Sequence, residues 1–97
     1  MAHSNDSDRL TLAQRLDLTA AASLHRALLT HTSPQIHLDA GAVSHLGALC
    51  LQLLLAAADD CRRRGGGLTL SPRSAAFDAA LGTFGVPLSR LQTEAAA

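Results

Sequence analysis

The chain has 97 residues, eight basic and eight acidic side chains, and a hydrophobic content of 47% in which only Phe77 and Phe84 are aromatic. That length allows one small core and no second domain. The balanced charge removes any general attraction to nucleic acid or to an anionic membrane surface, and a core without Trp or Tyr must be built from leucine and alanine.

Residues 1–8 are polar and lack an apolar signal segment, so they are expected to be a disordered leader of a cytoplasmic protein. No run is long and apolar enough to span a membrane, so no membrane insertion is expected. The domain proper is expected over residues 9–94, with a frayed alanine tail at 95–97. Arg9 to Leu12 and Gln14 to Leu18 alternate polar with apolar residues and read as two short strands paired with each other. Asp17 or Thr19 can cap a following helix whose Ala20, Leu24, Ala27, Leu28 and His31 share a face. Pro34 ends that helix by pushing the preceding residue out of helical geometry.

Gln35 to Ala40 reads as an inner strand with Ile36, Leu38 and Ala40 on one face. A long helix is expected from about Ala48 to Arg64, stopped by Gly65-Gly66-Gly67, with Arg62, Arg63 and Arg64 favourably placed in its last turn. Its Cys50, Leu51, Leu53, Leu54, Ala57, Ala58 and Cys61 gather on the face toward the sheet. Ala48, Gln52, Leu55, Ala56 and Asp59 fall on the opposite side and form an outward strip. Leu68 to Leu70 is a further strand, Pro72 breaks it, and Ser74 caps a helix burying Ala76, Phe77, Ala80 and Leu81. Gly82 and Gly85 interrupt that helix. Val86 starts a last short strand, and Leu88 to Glu94 closes the chain as a helix. This order predicts an α/β domain, a mixed sheet of four to five strands with helices packed against it.

The chemistry-bearing residues do not assemble into a reactive set. His3, His25, His31, His37 and His45 are scattered and do not form the close ligand cluster that zinc needs, so no metal or cofactor is expected. No serine or cysteine has a sequence-visible base, so no catalysis is expected. Cys50 and Cys61 lie roughly 16 Å apart along one helix, beyond disulfide reach, and read as small buried apolar side chains. The triple glycine follows a helix and precedes a strand, the reverse of a phosphate loop.

The most informative stretch is Gln35 to Leu55, a strand ending in Asp39, a loop, and a helix entered through Gly47-Ala48-Leu49-Cys50-Leu51. It resembles the central signature of STAS domains, the fold of anti-sigma-factor antagonists, in which a strand-end aspartate leads to Asp-Ser-Ser-Gly-Leu and the first serine is the phosphorylation switch. The spacing from this motif to the glycine-rich turn fits without a gap when Cys50 matches the motif glycine. A register that matches Gly47 to that glycine leaves three residues unexplained. In the preferred register Ala48 occupies the phosphoacceptor position, and alanine has no hydroxyl to modify. The element order from Arg9 to Leu91, the turn before Leu68 and the Ser-x-x-Phe helix are also similar to the family.

The resemblance implies a single STAS-like domain acting as a non-catalytic adaptor or regulator in bacterial signalling. The segment Leu46-Gly47-Ala48-Leu49-Cys50-Leu51-Gln52 looks like the small stand-alone members that accompany chemotaxis histidine kinases. A kinase partner is therefore expected on the loop before the long helix and its outward strip, at Ser44, His45, Ala48, Gln52, Leu55 and Asp59. The alternatives are the STAS subunit of a phospholipid transport complex, docked on its ATPase, and an anti-sigma-factor antagonist, which the missing serine disfavours. The sequence leaves self-association open.

Overall fold

The computed structural model describes residues 9–31 and 33–92. Five strands and four helices follow one another as β1 (Arg9–Thr11), β2 (Arg15–Leu16), α1 (Leu18–Thr30), β3 (Gln35–Ala40), β4 (His45–Leu46), α2 (Ala48–Arg63), β5 (Gly67–Arg73), α3 (Ala75–Phe84) and α4 (Leu88–Leu91). The leader at 1–8, the tail at 95–97 and the end of the closing helix at Glu94 lie outside the described residues.

The α/β class and the single domain stand, and the strand pairing refines them. β1 and β2 do not pair with each other. β1, β3 and β5 form one sheet in that order, β2 and β4 form a second, and every pair is parallel. A parallel neighbour is reached only through a crossover, so α1 and α2 are the connections that bring β3 beside β1 and β5 beside β3. The segment around His45, read from sequence as an exposed loop, contributes β4.

β3 runs through the centre, with Ile36, Leu38 and Ala40 buried and His37 and Asp39 half-buried on its other face. β5 continues past Pro72, contrary to the sequence expectation. Leu38 pairs with Leu70 and Ala40 with Arg73, so β5 carries one extra residue in this interval, and proline's missing N–H falls at that irregularity. Gly66 is required by close approach, because a Cβ there would lie 2.1 Å from the Pro34 carbonyl oxygen. Gly65 takes φ of 84°, the left-handed conformation that ends α2.

The caps follow the sequence. Asp17 is the N-cap of α1 and Ser74 that of α3. Ser74 Oγ accepts from the Phe77 amide at 3.0 Å and donates to the Val43 carbonyl, tying α3 to the segment before β4. α3 passes through Gly82 and ends at Gly85 with φ of 71°, so only the second glycine stops it. Val86 forms no strand, and Pro87 instead caps α4.

The core is leucine, alanine and one aromatic ring. Leu38, Ala40, Leu54, Ala58, Leu68, Leu70, Phe77 and Leu91 are fully buried. On α1 the buried residues are Ala21 and Leu24, with Ala20 and Leu28 partly buried against the core. The buried stripe of α1 is therefore rotated slightly from the expected one, and it is narrow.

Candidate functional site

The pairing of β2 with β4 brings the starts of α1 and α2 side by side. Arg15 aligns with His45 and Leu16 with Leu46, and the Gly47 amide donates to the Leu16 carbonyl at 2.8 Å. Gly47 is the N-cap of α2 and offers no capping side chain. One turn into the helix, the Cys50 thiol is 1% exposed and donates to the Asp17 carbonyl at 3.5 Å, joining the two helix starts. Burial pushes that thiol up from its ordinary value, and the charge of Asp17 adds to the shift. Cys50 is thus a packing residue held as the neutral thiol.

The expected contact residues differ in their settings. Ala48 and Gln52 are exposed on the outer side of α2, as the helical period requires. Ser44 and His45 are also exposed but sit on structured backbone, with the Ser44 amide donating to the Gln14 carbonyl at 2.7 Å and its hydroxyl to the same oxygen at 3.2 Å. Leu55 is corrected by the structure, because it is half-buried and packs against the core, so it does not stand free in solvent. Its place about 60° from Ala58 and about 40° from Leu51 on the helical wheel explains this, using about 100° per residue. Asp59 is exposed and pairs with Arg62 at 3.1 Å. Arg62 also donates to the carbonyls of Ser89 and Arg90, at 3.0 and 2.8 Å, so besides its place in the last turn of α2 it clamps α4 to that helix.

The sequence reading missed the residues that surround Ala48. A shallow hollow of about 390 Å³ is lined by Leu16, Asp17, Leu18, His45, Ala48 and Leu49, among others. Leu18 is 75% exposed and Leu49 is 43% exposed, so apolar surface stands on both sides of Ala48. Leu18 directly follows the capping residue, where an apolar side chain has no partner of its own helix to cover it. That was the available signal. Asp17 sets the polar edge of the hollow: the Thr19 hydroxyl donating to its Oδ1 at 2.7 Å is the main reason its carboxyl titrates below the usual range.

The arrangement can bind but has little to react with. Ala48 presents only an exposed methyl group at the start of α2. Asp39 is occupied in closing the turn after β3, with its Oδ1 accepting from the Gly41 amide at 2.9 Å. Among the described residues no group of three or more His, Cys, Asp or Glu side chains is placed to hold a metal ion.

A family model described as "Mlab, STAS domain" matches residues 1–87, most of the chain. The chain belongs to the STAS domain family. Membership carries a general regulatory or signalling role for this STAS domain, exercised by binding other proteins, and such domains are generally non-catalytic. No curated protein matches the chain. Among the described residues no helix is long and apolar enough to cross a membrane.

Proposed function

We propose that this STAS domain is a constitutive protein-docking adaptor whose partner is a histidine kinase of the chemotaxis type, bound through Ser44, His45, Ala48, Gln52 and Asp59 in the cytoplasm. The observation that carries the reading is Ala48: an exposed methyl in the first turn of α2, flanked by Leu18 and Leu49, where the classical motif has a phosphorylatable serine. With no hydroxyl at that position, control by phosphorylation of the adaptor is absent. Binding then follows the state and amount of the partner, and its affinity comes from a few apolar contacts at the centre of the interface.

A second reading is favoured by the description of the matching family model, which names Mlab. In it the same surface docks on the ATPase of a phospholipid transport complex. Calorimetric titration of the domain with the kinase's cytoplasmic fragment, and separately with the transport ATPase, separates the two. Gln52→Arg is the informative variant, since Gln52 is exposed and arginine is a good helix former, so the fold is kept. The kinase should bind the parent and lose at least tenfold in affinity, about 1.4 kcal/mol, with the variant. Binding to the ATPase alone would replace the kinase reading by the second one. Intact mass after incubation with kinase and ATP should show no phosphate between Gly47 and Cys50, and phosphate at Ser44 would mean that the switch lies upstream.

A further inference from the structure

Three of the four large apolar side chains that stand exposed among the described residues, Leu18, Leu29 and Leu49, lie on a single face built by α1 and α2. On α1, Leu18, Ala22, His25 and Leu29 are all exposed and recur at intervals of four, three and four. On α2, Leu49, Leu53, Ala56 and Asp60 repeat the same intervals, with Leu49 and Ala56 exposed and Leu53 half-buried. These are the spacings of a heptad seam, the pattern by which one helix receives another. The seams run side by side. They meet at the hollow containing Leu18 and Leu49 at one end, and at a hollow of about 170 Å³ lined by His25, Leu28, Leu29, Leu53 and Ala56 at the other. Eleven residues of helix cover roughly 16 Å, so the groove accepts about three turns.

The charges indicate what fills it. α1 contains no acidic residue, and Arg26 is exposed beside its seam without an ion pair among the described residues. All five described carboxylates are already paired: Asp17 with Arg15, Asp39 with Arg9, Asp59 with Arg62, Asp60 with Arg63 and Arg64, and Asp78 with Arg73. A second copy of these residues thus has no unpaired carboxylate to set against Arg26. We propose that the α1–α2 groove is a docking site for an amphipathic helix of a protein partner, with leucine or alanine at heptad positions and an acidic residue facing Arg26. The site adjoins the strip around Ala48 but does not depend on which partner docks there. Helix-in-groove recognition supplies the physics: apolar anchors set affinity and the flanking charge sets orientation.

The test is selection of displayed three-turn helices, carrying Leu or Ala at heptad positions and a random mixture of Glu and Lys on the flanks, against the full chain. Glu-flanked helices should be enriched. The selected helices should bind Leu29→Asp at least tenfold more weakly, with the melting temperature unchanged because Leu29 is 70% exposed. Arg26→Glu should reverse the flank preference to Lys. The proposal is overturned if no helix is enriched, if the selected helices bind Leu29→Asp as tightly as the parent, or if the domain dimerises in sedimentation through a contact that Leu29→Asp abolishes. Because the probe is a designed helix, these results are independent of whether the kinase or the ATPase binds near Gln52.

Discussion

Asp17 carries more of the site than any other single residue. Its Oδ1 accepts from the Thr19 hydroxyl at 2.7 Å, the Thr19 amide at 3.1 Å and the Ala20 amide at 3.3 Å, its other oxygen lies 3.6 Å from Arg15, and its carbonyl receives the Cys50 thiol. The hydroxyl bond is the main cause of its lowered pKa. A carboxyl with a folded pKa below its unfolded one stabilises the fold fully above the ordinary carboxylate range, and that contribution is lost as the pH falls through the lowered folded value. Asp17→Asn keeps an oxygen able to cap the helix but cannot titrate. The stability difference between parent and variant should therefore be constant above about pH 5 and shrink below it. Denaturant melts across the acid range check this, and parallel acid limbs for the two proteins would remove Asp17 from the account.

α2 is the element on which fold and site both depend, since one side closes the core and the other presents Ala48 and Gln52. Leu54 is fully buried. Leu54→Ala should cost about 2 to 5 kcal/mol in denaturant melts, a large share of the stability of so small a domain. A loss under about 0.5 kcal/mol, the scale of a neutral surface change, would show that the helix buries a different face. The helix and β3 were legible in the sequence because each has a long, regular apolar period. β4 was not, because two residues between turns give no period and owe their conformation to pairing with β2, thirty positions earlier. For the same reason the β1–β2 pairing was misread: alternation marks a strand but does not name its neighbour. At the site, the helical period placed Ala48 on the outward side at the start of α2, and it is exposed there. Leu55 was assigned outward by the wheel alone, whereas the surrounding elements cover a wider arc of α2 than an isolated wheel suggests. Leu18 and Leu49 were missed because exposure depends on neighbours that arrive only when the two helix starts are brought together.

At the scale of the whole molecule, two parallel sheets and their crossovers gather the beginnings of α1 and α2 at one place, and the apolar surface left open is concentrated on those two helices. In the function proposed above, with Ala48 at the switch position, this STAS domain retains the presentation of that surface without the chemistry that would turn it off. The central claim is that a partner covers the start of α2 in the unmodified protein. The amides of Ala48, Leu49 and Cys50 precede the first intrahelical bond, from the Leu51 amide to the Gly47 carbonyl, so in the free domain they have no acceptor within the helix. Hydrogen exchange of the domain with and without the kinase's cytoplasmic fragment reads this directly. Exchange at these three amides, and at the neighbouring Ser44 and His45, should slow in the complex, with no phosphate on the chain. Slowing confined to the outer edges of β1 and β5, with the start of α2 unchanged, would contradict the account.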